Sequence, residues 1–126
     1  MSAELFELRI MVVEDDLVQA MFLKDILTDA GAETVGPFRS TADAMGTLKD
    51  DRIDVAIIDF ALDSDTSVEL QVRLEQLNIP YVVVTGYPRV LIRRGTEQTI
   101  IGKPVSPEHL VGVLAAKARQ YRPSVT

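Results

Sequence analysis

The chain has 126 residues, 47% of them hydrophobic and 25% charged, which suits one domain with one ordinary core. The absence of cysteine excludes disulfides, thiolate nucleophiles and cysteine-ligated metals, and 13 basic against 19 acidic residues give a net charge of −6 that argues against direct nucleic-acid binding. No apolar stretch approaches the roughly 20 residues that span a bilayer, and the first residues lack a secretory pattern; a cytoplasmic chain without membrane insertion is expected.

Apolar runs bounded by turn residues alternate with segments of helical spacing almost from end to end. The first strand is expected over residues 7–13 and stops at Glu14-Asp15-Asp16. In the helix that follows, Val18, Phe22, Ile26 and Ala30 form one stripe with Leu23 and Leu27 beside it, and Gly31 is a natural stop. A short strand over residues 33–35 comes next, and then Ser40-Thr41-Ala42-Asp43, which has the form of a capping box, opens a helix to about Lys49.

The run Ile53-Asp54-Val55-Ala56-Ile57-Ile58 reads as a central strand covered on both faces, ending at Asp59. Residues 62–66 read as a polar loop, followed by a helix with Leu70, Leu74 and Leu77 on one face, closed by Asn78-Ile79-Pro80. The fourth strand is Tyr81-Val82-Val83-Val84-Thr85, and the fifth spans residues 99–102 and runs into Lys103-Pro104. Ser106-Pro107 supplies a cap and a first-turn proline for a last helix lined by Leu110, Val113, Leu114, Lys117, Ala118 and Tyr121. Strands alternating with helices imply a parallel sheet with helices on both faces.

In such a sheet, ligands bind beyond the carboxyl ends of the strands. The strand ends here supply Glu14 and Asp15, Asp59, Thr85 and Lys103. Each has an ordinary structural explanation, since Asp15 or Asp16 suits a helix cap, Thr85 a turn and Lys103 a solvated surface. Together they are three carboxylates, one hydroxyl and one ammonium on one rim. Clustered carboxylates repel and call for a cation, and hard oxygen ligands suit Mg2+. A carboxylate nucleophile attacking phosphorus needs its charge offset, which a metal and Lys103 supply, while the Thr85 hydroxyl can donate to a phosphoryl oxygen.

The ordered blocks Val12-Val13-Glu14-Asp15-Asp16, Ile57-Ile58-Asp59, Val84-Thr85-Gly86 and Gly102-Lys103-Pro104 resemble the receiver domains of two-component response regulators, over residues 8–121. The resemblance implies a flavodoxin-like, doubly wound α/β fold with five parallel strands in the order 2-1-3-4-5, as a single receiver domain without an output domain. It implies that Asp59 is the phosphoacceptor, with Thr85 and Lys103 assisting. Glu14, Asp15, Asp59 and the backbone carbonyl of Ala61 would hold Mg2+. The donor would be a phosphohistidine on a histidine kinase or histidine phosphotransfer protein, the product would hydrolyse slowly in place, and the signal would pass through protein contacts. The Lys103-Pro104 bond is often cis in such domains.

The chain departs from the usual receiver pattern at several points. Ile100 stands where an aromatic commonly sits three residues before the lysine, so the aromatic readout of phosphorylation is not available. The segment between Thr85 and Lys103 is short, which predicts a short or mobile fourth helix over residues 88–94. With Thr85-Gly86-Tyr87, these features resemble stand-alone alphaproteobacterial regulators of the Phe-Ala-Thr-Gly-Tyr type. After Asp59, the common Leu-Pro-x-x-x-Gly turn keeps its leucine as Leu62 and loses its proline and glycine. Tyr87, two residues past Thr85, is expected to shield the phosphoryl group from water, and Arg89, Arg93 and Arg94 to form a basic cluster.

Two rival readings remain. Asp63-Ser64-Asp65-Thr66-Ser67 resembles the Asp-x-Asp-x-Thr nucleophile motif of haloacid-dehalogenase-like phosphatases, but that motif begins directly after a buried strand, and the strand here stops at Asp59. A pseudo-receiver adaptor would ordinarily lack the aspartate, the lysine or the acidic pair, all of which are present. His109, in the first turn of the last helix, reads as an incidental surface histidine.

Overall fold

The computed structural model describes residues 4–62, 65–86 and 99–121. Five strands form the main sheet: β1 (Arg9–Val13), β2 (Glu33–Phe38), β3 (Val55–Asp59), β6 (Tyr81–Thr85) and β7 (Thr99–Gly102). They are all parallel and lie in the order β2-β1-β3-β6-β7, which is 2-1-3-4-5 when these five are counted alone. Between them run α1 (Leu17–Asp29), α2 (Thr41–Thr47) and α3 (Val68–Gln76), and α4 (Pro107–Tyr121) follows β7.

Alternation along the strands explains why both faces are covered. Ile10 and Val12, Val55 and Ile57, and Val82 and Val84 point to one face, where α1 and α4 bring Leu23, Ile26, Leu27, Leu110 and Leu114. Met11 and Val13, Ala56 and Ile58, and Tyr81 and Val83 point to the other, against Ala44 of α2 and Leu70 and Leu74 of α3. A central strand that feeds two cores has no polar face to spare, hence the unbroken apolar runs.

Four readings of the sequence are corrected here. In α1 the buried residues are Ala20, Leu23, Ile26 and Leu27, while Val18 and Phe22 are 75% and 40% exposed. The helix is apolar around most of its first two turns, so spacing alone selected a stripe rotated from the true one. Residues 62–66 do not form a simple polar loop. A small antiparallel hairpin, β4 (Ala61–Leu62) and β5 (Asp65–Thr66), pairs Ala61 with Thr66 and Leu62 with Asp65. In α3, Leu77 is the exposed C-cap residue, and Gln71 is buried instead. In α4, Val111 and Ala115 are buried beside Leu110, Leu114 and Ala118. The expected fourth helix, with Tyr87 and the three arginines, lies outside the described residues.

The second strand runs three residues further than its apolar pattern suggested, and within it Gly36 takes φ +102°. Pairing with β1 shifts register there, between Met11 and Val13. A Cβ at Gly36 would lie 2.8 Å from the Phe38 nitrogen and 2.9 Å from the Val12 oxygen, both backbone atoms that cannot step aside. Gly36→Ala is therefore expected to destabilise the protein by about 2 kcal/mol or more, measured by urea unfolding.

Candidate functional site

The parallel register decides which side chains meet. Val13 pairs with Ile58 and Asp59 with Val84, so Glu14, just past β1, and Asp59, the last residue of β3, emerge side by side. Thr85 pairs with Gly102, and the Lys103 N–H donates to the Thr85 carbonyl at 2.8 Å. Beyond β1, the Glu14 N–H donates to the Phe38 carbonyl at 2.9 Å and fixes that corner. Glu14, Asp59 and Thr85 are all buried. Lys103 retains about a quarter of its exposure, and its bond to Pro104 is cis.

The helix cap, which suited either Asp15 or Asp16 in the sequence, falls to Asp16. Asp16 caps α1, accepting from the N–H groups of Val18 at 2.9 Å and Gln19 at 3.3 Å. Asp15 joins Glu14 and Asp59, the three offering carboxylate oxygens within 4.8 Å of one another. Lys103 Nζ donates to Asp59 Oδ2 at 3.3 Å and lies 3.8 Å from Glu14 Oε2. Among the described residues, these three carboxylates meet a single ammonium, that of Lys103.

Glu14 bears the strain of this arrangement. Its Oε1 accepts from the Asp16 N–H at 3.1 Å, whereas its buried Oε2 has no hydrogen-bond partner among the described residues. Burial first, and then the adjacent Asp59 carboxylate, push the Glu14 carboxyl up to about 7, against the opposing pull of the Asp16 N–H and Lys103. A buried oxygen without a donor, beside two further carboxylates, is a donor set that fits a hard divalent cation.

Of the other residues singled out in the sequence, Ala61 begins β4 two residues past Asp59, and Ile100 is partly buried against the α2/α3 face of the sheet. His109 is exposed in the first turn of α4, where its N–H donates to Ser106 Oγ at 3.4 Å. Asp65 lies in β5, apart from the main sheet, and Asp63 is outside the described residues. The sequence reading missed Ser67 and Gln71, fully buried polar residues just beyond the hairpin. Among the described residues, no helix is long and apolar enough to cross a membrane.

Comparison with known proteins agrees with this geometry. A family model described as the response regulator receiver domain matches residues 10–115. Among solved structures, SdrG from Sphingomonas melonis Fr1 is 30% identical, with a TM-score of 0.76, 92% of this chain and 98% of that chain being covered. A CheY-like receiver domain from Methanospirillum hungatei JF-1 is 21% identical, with a TM-score of 0.78 over 91% of this chain and 96% of that one. The response regulator PhyR from Brucella abortus is 20% identical, with a TM-score of 0.80; 90% of this chain is covered but only 49% of PhyR, so the chain spans about half of that protein's length. No curated protein matches.

Proposed function

The chain belongs to the response regulator receiver family, and from that premise we propose that Asp59 accepts a phosphoryl group from a phosphohistidine on a histidine kinase or histidine phosphotransfer protein, in a Mg2+-dependent reaction. The observation that carries this reading is the meeting of Glu14, Asp15 and Asp59 within 4.8 Å, with Lys103 Nζ 3.3 Å from Asp59.

In the proposed step, a carboxylate oxygen of Asp59 forms a bond to phosphorus as the phosphorus–nitrogen bond to the donor imidazole breaks, and the electron pair returns to the ring. Two negative groups must approach, and the arrangement lowers that barrier by position and charge. In this reading Lys103 would hold a phosphoryl oxygen, and Thr85, at the end of the next strand, would donate its hydroxyl to another. Glu14, Asp15 and Asp59, with the Ala61 carbonyl, would hold Mg2+, which when bound neutralises charge on the phosphoryl oxygens. The aspartyl phosphate then hydrolyses slowly in place. In this reading residues 8–121 act as one receiver domain in the cytoplasm and pass the signal through protein contacts, with Ile100 where receivers commonly use an aromatic.

Incubation with acetyl phosphate, followed by intact mass measurement, tests the reading. The expected result is one phosphoryl increment with Mg2+ present and none with EDTA. Equal labelling in EDTA would count against the metal's role, and no labelling under either condition against the reading as a whole.

A further inference from the structure

The hairpin after Asp59 is small, two residues on each strand, and a two-stranded hairpin of any length is marginal by itself in water. Its position is therefore set at its base. There the Phe60 N–H donates to the Val84 carbonyl at 3.1 Å, and the Phe60 carbonyl accepts from the Ser67 N–H at 3.0 Å. Ser67 stands where the common receiver turn carries its glycine, five residues after Leu62. It is the N-cap residue of α3, yet its hydroxyl makes no capping bond. Instead Ser67 Oγ accepts from Gln71 Nε2 at 3.1 Å, and both residues are 0% exposed. A second bond, from the Gln71 N–H to the Ser67 carbonyl at 2.9 Å, ties the same two residues through the backbone.

Burying a hydroxyl and a primary amide is costly unless they are bonded, and here the two are bonded to each other at the point where the hairpin closes. A hydroxyl free to cap the helix would leave the closing residue to pivot. One held by a buried side chain a full turn up α3 keeps the residue seated against the core. The geometry points to Ser67 and Gln71 as a positioning pair. By fixing the closing bond to Phe60, they hold Ala61, the next residue, at the place from which its carbonyl would join the acidic cluster in binding Mg2+. This inference rests on the proposed Mg2+ site, since it concerns how one ligand of that site is kept in position.

Three measurements on the full chain test the pair: Mg2+ affinity by calorimetry, exchange of the Ser67 amide hydrogen in metal-free protein, and thermal unfolding. The variants are Ser67→Ala, Gln71→Leu and the two combined, with Gln71→Met, which keeps length and burial, taking the place of any Gln71→Leu protein that fails to fold. Each single change is expected to weaken Mg2+ binding about tenfold, in the range seen when groups supporting metal ligands are removed. Each should also speed exchange of the Ser67 amide, and the double variant should be no worse than the poorer single one, because both remove the same bond. Folded variants that bind Mg2+ as wild type does, or single effects that add in the double variant, overturn the inference and leave the proposed function standing. Wild-type protein that binds no Mg2+ overturns both.

Discussion

Lys103→Met is expected to slow phosphorylation of Asp59 by acetyl phosphate about 10²-fold, the order of loss seen when one charge-stabilising donor is removed from an active site. Methionine retains an unbranched stem of similar reach, so the change removes charge with little change of volume. The ammonium lies 3.3 Å from Asp59 Oδ2 and 3.8 Å from Glu14 Oε2, the only cation within salt-bridge reach of these two among the described residues. Partial exposure of Lys103 lets solvent replace some of its effect on the resting carboxylates. At a phosphoryl group docked over the site, solvent is displaced and the loss is larger. The same variant is expected to bind Mg2+ more tightly, because a competing cation has gone. Opposite movements of metal affinity and phosphorylation rate separate a charge-stabilising lysine from one that merely holds the fold. A fall in both would assign Lys103 a structural role.

Glu14→Gln is expected to stabilise the metal-free protein at pH 8 and to weaken Mg2+ binding at the same time. The folded carboxyl titrates near 7 rather than 4.5, so between those values the folded chain binds more protons than the unfolded one. Glu14 thus favours the folded state below about pH 4.5, and its contribution is lost as pH rises to about 7, amounting to on the order of 3 kcal/mol by linkage. The difference in unfolding free energy between Glu14→Gln and wild type should grow in favour of the variant across that window, then level off. For the metal the sign reverses. Binding requires the carboxylate, so wild-type Mg2+ affinity should climb as pH rises toward 7, by at most tenfold per unit from this group, and flatten above it. Urea titrations from pH 5 to pH 8, with and without Mg2+, read both effects. A variant no more stable than wild type at pH 8 would show that Glu14 is comfortably ionised in the apo protein.

The residues that meet at the site were legible in the sequence because a parallel sheet converts order along the chain into place in space. Four strands that end in Glu14-Asp15, Asp59, Thr85 and Lys103 deliver those side chains to one edge whatever the helices do. The strands themselves were readable because the central ones are apolar on both faces. Helix orientation was harder. In α1, Leu17, Val18, Met21 and Phe22 are all exposed although apolar, so hydrophobicity could not mark the buried side. Which aspartate caps α1 was also hidden, since either Asp15 or Asp16 suits a cap and only the backbone's entry into the helix selects Asp16. Gln71 escaped because a polar side chain in a helix signals solvent by default. Its burial follows from a partner one turn away, Ser67, which only packing reveals.

Phosphorylation of Asp59 is tested by identifying the residue that carries the phosphoryl group. Wild-type protein treated with acetyl phosphate and Mg2+, then reduced with borohydride to convert any acyl phosphate to an alcohol, is digested and mapped by mass spectrometry. Conversion is expected at Asp59 alone, and none in Asp59→Asn. Conversion at Asp15, Asp63 or Asp65, or an undiminished signal in Asp59→Asn, would contradict that expectation.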